Sequence, residues 1–376
     1  MSRIKIGIEC ESIEGKNPMW GVGRMIVKLL EEIARRPDLE KDFRFVLYFK
    51  DHIPNFPFLN ANIFEKKKVP VLFFKNRLFP IYYFALLPMR LWFEGLDIMF
   101  WPNYMLPILA FNKSLVMLTE DVYYETTEGK LPFRYRLAYG IFCRWTSKFS
   151  TKIMAISETS KKNIAQLYNI DVNRIAVNYP GIDFLETKSV KLEAEKNYTL
   201  YIGQAFPRRH LKETILAFEK IALEFPELKL VAIGPDKYET PTISSLISQT
   251  NDKLGRKAII HKDYVTDKKL ATLYSGAKAL IYVSDREAFG LPPMEALLFG
   301  VPPIIADNEL GHELFKDYAF YVSRPDTNGI ADGIRNALIQ TEKIMKIKTD
   351  GPSFARQYTW SNFTDRWLKI IHSLNK

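Results

Sequence analysis

Cysteine is scarce in this chain. Only Cys10 and Cys143 occur among 376 residues. So few thiols exclude a disulfide framework and a cysteine-based zinc site, and they indicate a reducing compartment. The five histidines are scattered without metal-ligand spacing, and no Asp-x-Asp motif occurs in the sequence. We therefore expect no bound metal and no other cofactor.

Long hydrophobic runs are missing as well. Residues 1–9 are too short and too charged for a signal peptide, and we interpret them as a first buried strand. The unbroken apolar run that starts at Leu78 ends at Arg90, short of the ~20 residues that a bilayer span needs. These features predict a cytoplasmic protein.

The basic surplus leaves two interpretations of residues 75–93 open. The net charge is +10, and most of the surplus lies in the first half of the chain. The segment can be a buried core helix, or a surface helix that rests on anionic lipid at the inner face of the cell membrane. Nucleic acid is not expected as a partner, because the basic residues are dispersed and no RNA- or DNA-binding module is recognisable.

Predicted strands and helices alternate along the whole chain, which is typical of parallel sheets with crossover helices. One series runs from a strand at Ile4–Glu9 to a strand near 174–178, and a second series starts at 199–203. The charged stretch 186–197 between them lacks sustained periodicity and is predicted to be a linker. The fold class is therefore α/β, with two Rossmann-like, doubly wound domains at 1–185 and 198–357.

The most informative stretch of the sequence is Ser284–Glu295, which follows a predicted strand at 279–283. A helix is predicted to begin at Pro292 or Pro293 and to end at Gly300. Glu287 then lies at the carboxyl end of a strand, where open α/β sheets bind ligands. The N–H groups of Gly290 and Leu291 lie at the positive end of a helix dipole, which favours phosphate. The pattern suits a sugar joined to a nucleotide diphosphate.

A second basic motif, Arg208-Arg209, lies in another predicted strand-to-helix loop. Two adjacent guanidinium groups can bind a diphosphate, since one guanidinium can donate two parallel hydrogen bonds to phosphate oxygens. The fingerprint G-x-G-x-x-G is missing after the first strand of either half, which argues against an NAD enzyme. The alternative interpretations are structural: glutamate is favoured in a first helical turn by the dipole alone, and the arginine loop can simply be solvated.

Four motifs of the sequence belong together: Gly21–Arg24, Ile156–Lys161 with Asn178–Asp183, Arg208-Arg209, and Glu287–Pro302. Taken together, they resemble the retaining nucleotide-sugar glycosyltransferases of family 4, which have the GT-B fold. The most specific of them is Glu287–Pro302, the segment with two glutamates. The resemblance implies two domains that face each other across a central cleft. The first would hold the acceptor and the second the donor, and the C-terminal helix 358–376 would pack back on the first.

The resemblance also implies a role for each matching residue. Glu287 would bind hydroxyls of the donor sugar and Glu295 the ribose, while Arg208 and Arg209 would hold the diphosphate. The reaction would retain the anomeric configuration, with the leaving phosphate accepting the proton of the acceptor on the same face. The further donor-binding residues implied are Gly21, Gly23, Phe289, Gly290 and Leu291.

The chain departs from the family pattern at one position. Many members carry His-Asp where this chain has Glu120-Asp121, so a carboxylate stands where an imidazole would meet the sugar. Asp121 matches the pattern. The candidate catalytic residues are thus Glu287, Asp121 and Glu120.

The sequence predicts a metal-independent hexosyltransferase, mannose being the first choice of sugar. The donor would be a nucleotide-diphosphate sugar, and the acceptor a glycan or lipid-linked oligosaccharide in surface polysaccharide biosynthesis. Two alternatives stay open: a nucleotide-sugar epimerase of the same fold, and a catalytically inactive glycosyltransferase-like partner subunit.

Overall fold

The structure is a computed structural model, and it describes residues 3–15, 21–69, 82–120, 123–124, 133–183, 197–238 and 242–375. The chain divides into two compact units. The first comprises Met1–Gly181 with Thr359–Lys376, and the second comprises Ile182–Tyr358.

The first unit is built on a parallel sheet that has seven strands within the described residues. These are β1 (Ile4–Glu9), β2 (Phe43–Phe49), β3 (Phe64–Lys68), β4 (Ile98–Trp101), β5 (Lys113–Met117), β6 (Lys152–Ala155) and β7 (Ile175–Val177). Their order in the sheet is 3-2-1-4-5-6-7, the Rossmann order with one strand added. The order reverses between β1 and β4, so the carboxyl ends of these two strands form the switch point of the sheet.

Within the described residues, four helices of the first unit precede the C-terminal one. They are α1 (Val22–Ala34), α2 (Leu87–Trp92), α3 (Phe133–Phe149) and α4 (Glu158–Tyr168). The helix α1 has one apolar face, whose residues Met25, Ile26, Leu29, Leu30 and Ile33 are all buried. Ser157 caps α4, its Oγ accepting from the Ser160 N–H at 2.9 Å. Short turns of 3₁₀ helix lie at Glu11–Ile13, Pro37–Lys41, Pro57–Asn60 and Val172–Arg174, and a π-helical turn lies at Tyr82–Leu86.

The second unit repeats the same architecture with a six-stranded parallel sheet. Its strands are β8 (Tyr198–Ile202), β9 (Lys229–Ile233), β10 (Ile259–Lys262), β11 (Ala279–Tyr282), β12 (Pro303–Ala306) and β13 (Phe320–Val322). Their order is 10-9-8-11-12-13. The switch point therefore lies between β8 and β11, the two strands that precede the arginine loop and the glutamate loop. The prediction of two Rossmann-like units is confirmed.

Seven helices belong to the second unit as far as it is described. They are α5 (Leu211–Glu224), α6 (Ile243–Lys253), α7 (Asp267–Gly276), α8 (Leu291–Leu298), α9 (Glu309–Phe315), α10 (Thr327–Ile339) and α11 (Thr341–Ala355), with a 3₁₀ turn at Pro207–Arg209. The helix α8 begins one residue earlier than predicted, and Gly300 beyond its end has the expected positive φ of 68°.

The last helix, α12 (Trp360–Asn375), returns to the first unit. Its Trp367 is fully buried, with ring centroids 6.2 Å from Phe45 of β2 and 5.4 Å from Phe100 of β4. Asn178, just after β7, donates through Nδ2 to the Phe363 carbonyl at 3.1 Å. The helix is thus part of the core of a unit whose other elements lie far away in sequence.

Two strands were missed by the sequence analysis. The strand β3 carries Lys66, Lys67 and Lys68, and its position at the edge of the sheet leaves alternate side chains partly exposed. Such an edge strand has no apolar run to reveal it. The strand β13 is an edge strand of the second sheet. It has only three residues, too few for a periodic pattern.

The segment 75–93 is described from Tyr82 onwards. Tyr82, Tyr83, Leu87 and Leu91 are buried in a hydrophobic cluster of the first unit, as the core-helix interpretation expects. Trp92 and Phe93 at its end are exposed. No helix of the described residues is long and apolar enough to cross a membrane.

The burial of Trp367 predicts that Trp367→Ala destabilises the first unit. Removing a fully buried indole leaves a cavity between β2, β4 and α12, which typically costs ~3–5 kcal/mol of unfolding free energy. Urea unfolding followed by circular dichroism would measure this cost. Lys369→Ala, at an exposed position of the same helix, is the control and should unfold like the wild type. If the two variants unfold alike, α12 is not a core element.

Candidate active site

Two loops at the switch point of the second sheet carry the site. The arginine loop, residues 203–210, follows β8, and the glutamate loop, residues 283–290, follows β11. The Asp285 N–H donates to the Arg208 carbonyl at 2.9 Å, and Arg208 Nη1 donates to the Arg286 carbonyl at 2.8 Å. One main-chain bond and one bond from a side chain to a main-chain carbonyl therefore join the two loops, and they fix the spacing of the loops.

Both arginines bind the carboxylate of Glu287. Arg208 Nη1 lies 2.8 Å from Oε1, and Arg209 reaches Oε1 with Nε at 2.7 Å and Oε2 with Nη2 at 3.1 Å. Ser284 Oγ donates to Oε1 at 3.1 Å. The three predicted residues thus form one cluster, in which the bidentate Arg209 pair supplies the stronger geometry.

The charge of this cluster is unevenly balanced. Burial alone would raise the pKa of Glu287, but the positive charges and hydrogen bonds of Arg209 and Arg208 outweigh it, so the pKa lies below its ordinary value. Glu287 is therefore ionised at neutral pH. Two guanidinium groups against one carboxylate leave one net positive charge at the carboxyl ends of β8 and β11.

Arg209 is held from a second side by an aromatic ring. Its guanidinium carbon lies 5.5 Å from the ring centroid of Tyr282, the last residue of β11, a distance at which the ring attracts the cation. The loop packs closely here: a Cβ on Gly203 would come within 2.9 Å of Arg209 Nη1, and one on Gly234 within 1.9 Å of the Gly203 carbonyl oxygen. Glycine at both positions permits this approach.

The start of α8 provides fewer anion donors than a typical helix. Gly290, with φ 91°, is its N-cap, and Leu291 is its first residue. Pro292 and Pro293 follow, and proline has no N–H. The Met294 N–H already points to the Gly290 carbonyl at 3.5 Å. Only the N–H groups of Gly290 and Leu291 are thus left for a phosphate, the two that the sequence analysis selected.

Glu295 lies deeper in the protein than the sequence suggested. It is the fifth residue of α8 and is almost fully buried. The Tyr274 hydroxyl donates to its Oε2 at 2.9 Å, and the Tyr274 ring stacks on Phe299 at 5.5 Å. One carboxylate oxygen is therefore oriented by α7, and the predicted ribose contact stays a prediction.

A small pocket of about 30 Å³ adjoins the cluster. Glu287, Ser284 and Gly290 line one part of it, whereas Ile305 and Phe315 contribute an apolar wall. Phe289 also borders the pocket, but its side chain is buried and contacts the Tyr358 ring edge-on at 5.7 Å. A carboxylate beside an apolar wall suits a ring that carries hydroxyl groups.

The other predicted site residues belong to the first unit. Glu120 is buried, and its carboxylate accepts hydrogen bonds from the Ser160 hydroxyl and from Asn163 Nδ2 at 3.3 Å, both on α4. Gly21 is the N-cap of α1 with φ 55°, and Gly23 is buried in its first turn. Asp121 lies outside the described residues, so its predicted role stays untested, as do those of the other three.

The sequence analysis assigned no role to several residues that build the site. His210 Nε2 lies 2.8 Å from Asp285 Oδ1, which adds a side-chain contact between the two loops. Ser284 and Asp285 were part of the quoted motif, but nothing in a single sequence shows that one bonds Glu287 and the other His210. Asn308, at the N-terminus of α9, lines the far side of the pocket and carried no sequence signal.

A second buried carboxylate lies at the switch point of the first sheet. Glu9, the last residue of β1, is fully buried and accepts from the Glu11 N–H at 2.7 Å and from Asn103 Nδ2 at 3.2 Å. Burial, and then the neighbouring charge of Glu11, raises the pKa of Glu9 to about 8. This residue was not predicted, since a glutamate at a strand end gives no sign of its burial.

The described residues contain no group of three or more His, Cys, Asp or Glu side chains that could hold a metal ion. The expectation that no metal is needed stays a prediction.

Residues 184–353 match the family model described as Glycosyl transferases group 1. The matched range contains both loops, the pocket and Glu295. Within the chain, 215 residues are 28% identical to the O-antigen chain mannosyltransferase RfbU of Salmonella typhimurium, covering 54% of this chain and 58% of that protein. The chain spans about three fifths of the length of RfbU and of a second curated relative, the O-antigen chain mannosyltransferase B of Escherichia coli.

Solved structures resemble the whole chain. WaaG, a glycosyltransferase involved in lipopolysaccharide biosynthesis, matches with a TM-score of 0.70 at 18% identity, over 98% of this chain and 99% of that one. Alr3699/HepE of Anabaena, solved in complex with UDP-glucose, matches with a TM-score of 0.70 at 14% identity, over 99% and 100%. At such identities the likeness shows the fold alone, and that fold is GT-B, as predicted.

The raised pKa of Glu9 predicts a pH-dependent stability. Between about pH 5 and pH 8 the folded protein keeps a proton on Glu9 that the unfolded chain releases, so the unfolding free energy falls as the pH rises through this range. Glu9→Gln resembles the protonated acid and cannot ionise. We expect its melting temperature to rise relative to wild type by at least roughly 4 °C between these two pH values.

Glu65→Gln is the matched control for this experiment. The hydrogen bond from Lys67 lowers the pKa of Glu65, so Glu65 is ionised in the folded and the unfolded protein above about pH 5.5. The difference in melting temperature between Glu65→Gln and the wild type should therefore not change with pH above this value. If the difference in melting temperature between Glu9→Gln and the wild type is the same at pH 5 and pH 8, the burial of an ionisable Glu9 is contradicted.

Proposed function

We propose that this chain, whose residues 184–353 form a glycosyl transferases group 1 domain, moves a hexose from a nucleotide-diphosphate sugar to a glycan or lipid-linked oligosaccharide. The observation that carries the proposal is the cluster of Arg208, Arg209 and Glu287 beside the pocket of the second unit. It places a surplus positive charge, which a diphosphate needs, next to an ionised carboxylate, which can accept hydrogen bonds from the hydroxyl groups of a sugar.

The arginines are proposed to bind the diphosphate. Arg208 uses only Nη1 in its bonds to Glu287 and Arg286, and its Nη2 has no acceptor among the described residues. With a side chain 31% exposed, Arg208 can donate Nη2 to a phosphate oxygen while it keeps its contact with Glu287. The N–H groups of Gly290 and Leu291 would contact the same anion from the helix side.

Glu287 is proposed to accept hydroxyl groups of the donor sugar. Its low pKa keeps it an acceptor over the whole physiological range, and Ser284 with the two arginines fixes its orientation. Glu295 would accept the ribose hydroxyls. The apolar wall of the pocket would contact the carbon face of the hexose ring.

Retention of configuration and independence of metal ions belong to the proposal as well. The positive charges that a metal would supply to the leaving diphosphate can come from Arg208, Arg209 and the dipole of α8. The leaving phosphate would accept the proton of the acceptor hydroxyl on the same face of the sugar. Glu120 and Asp121 would contact the sugar from the first unit.

The choice of sugar in this proposal follows from similarity rather than from geometry. RfbU, to which part of the chain is similar, is an O-antigen chain mannosyltransferase, which supports mannose and surface polysaccharide biosynthesis as the first choice. Alr3699/HepE was solved with UDP-glucose, which supports a nucleotide-sugar donor in general. A cytoplasmic protein that attaches peripherally to anionic membrane would meet both the donor and a lipid-linked acceptor.

Glu287→Gln should remove transferase activity while the fold is retained. The variant keeps the shape of the side chain but loses the charge that orients both arginines, and we expect kcat to fall by ~100-fold or more. Turnover of GDP-mannose with a lipid-linked acceptor would be measured by product analysis, which also distinguishes transfer from epimerisation, because an epimerase forms a new nucleotide sugar and no glycoside.

Glu224→Gln is the matched control, since Glu224 pairs with Arg335 on the surface of the same unit and should not affect turnover. Wild-type turnover by Glu287→Gln would refute the role of the cluster.

Nucleotide binding should raise the melting temperature of the wild type. A ligand at a hundred times its Kd stabilises by about 2.7 kcal/mol, which is several degrees for a domain of this size. The panel comprises GDP, UDP, ADP, GDP-mannose, UDP-glucose and UDP-N-acetylglucosamine. Arg208→Gln should shrink the shift for every diphosphate, whereas Arg335→Gln should leave it unchanged. If no nucleotide shifts the wild type, the chain is the inactive partner subunit instead.

A further inference from the structure

The helix α3 exposes a row of large apolar side chains. Phe133, Leu137 and Ile141 are 73%, 53% and 54% exposed. They are four residues apart, so they lie one above another on a single face of the helix. Isolated exposed apolar residues are common on protein surfaces, but a continuous row on one helix face marks an interaction site.

The opposite face of α3 already supplies the packing that the first unit needs. Tyr139, Phe142 and Trp145 pack against the hydrophobic cluster that contains Trp101, and Cys143 is buried in a neighbouring cluster. An ordinary surface helix would place polar residues on the face away from this core. The apolar row is thus unnecessary for folding.

Towards the C-terminal end of α3, basic residues follow the apolar row on the same face of the helix. Arg144 and Lys148 are exposed and follow Ile141 at helical spacing, so the face that starts at Phe133 extends over about 22 Å and changes from apolar to basic. Arg136 flanks the apolar row and is also exposed. No Asp or Glu occurs in the 17 residues of α3. This combination is typical of helices that lie in the plane of a membrane interface.

We propose that this face of α3 binds the surface of an anionic lipid membrane, with the apolar row inserted among the acyl chains and the basic end on the headgroups. The inference identifies the surface through which the proposed function would reach a lipid-linked acceptor, but lipid binding itself does not require sugar transfer. In the described part of segment 75–93, Tyr82, Tyr83 and Leu87 are committed to the core.

The charge of the face selects lipid over a second copy of the chain. Two copies that meet through α3 would bring Arg144 and Lys148 of one copy close to cations of the other, with no acidic residue on the helix to compensate. Anionic headgroups supply the missing negative charge and attract such clusters within a Debye length.

The test is co-sedimentation of the full chain with vesicles, without any nucleotide sugar. Vesicles of phosphatidylglycerol and phosphatidylcholine in equal parts are compared with vesicles of phosphatidylcholine alone, at about 0.1 M and about 1 M salt. Leu137→Gln/Ile141→Gln removes the apolar row, and Arg144→Gln/Lys148→Gln removes the charge. The controls are Leu223→Gln, at an apolar position of α5 that is 74% exposed, and Lys268→Gln/Lys269→Gln on α7.

The wild type and both controls are expected to bind the anionic vesicles, and less well at high salt. Each α3 double variant should need at least about tenfold more lipid for half-binding. The inference is overturned if the wild type does not sediment with anionic vesicles, or if the α3 variants bind like their controls. A wild type that is dimeric by light scattering and becomes monomeric in Leu137→Gln/Ile141→Gln would instead identify the face as a self-interface. Because no donor is present, these outcomes are independent of whether the chain transfers sugar.

Discussion

The second unit depends on one interaction, the binding of the Glu287 carboxylate by the guanidinium groups of Arg208 and Arg209. A buried carboxylate without partners would be costly, and so would a half-buried pair of like charges. Each cost is offset only when the two loops hold the groups together. The main-chain bond from the Asp285 N–H to the Arg208 carbonyl holds the two loops together, and the bond from Arg208 Nη1 to the Arg286 carbonyl fixes the Arg208 side chain between them.

The same constraint defines what the site can bind. Since one carboxylate neutralises only one of two cations, the cluster retains a positive charge at the carboxyl ends of β8 and β11. The proline pair at the start of α8 removes two of the N–H groups that would otherwise contact an anion. Binding of an anion here therefore depends more on the two arginines. A diphosphate between the arginines and α8 would compensate the charge, and its sugar would lie against the Glu287 carboxylate.

The first six strands of the two sheets follow the same order, but the carboxyl groups at their switch points have pKa values that are shifted in opposite directions. In the second unit two arginines lower the pKa of Glu287 and keep it charged. In the first unit burial, and then the charge of Glu11, raises the pKa of Glu9 to about 8 and favours the neutral form, and no cation among the described residues is bonded to it. One fold therefore presents an ionised acceptor in one unit and a protonated, structural carboxyl group in the other.

The sequence alone determined the alternation of strands and helices, both Rossmann-like units and the position of the site motifs, because local periodicity and Gly-Pro turn chemistry encode them. It also selected Arg208, Arg209 and Glu287, since each follows a recognisable buried strand. It could not reveal that these three bind one another, that Glu9 is buried or that Glu120 bonds α4, because such contacts join residues distant in sequence. The edge strand β3 and the exposed face of α3 were likewise decided by tertiary structure: burial depends on what packs against an element, and that is a property of the folded chain.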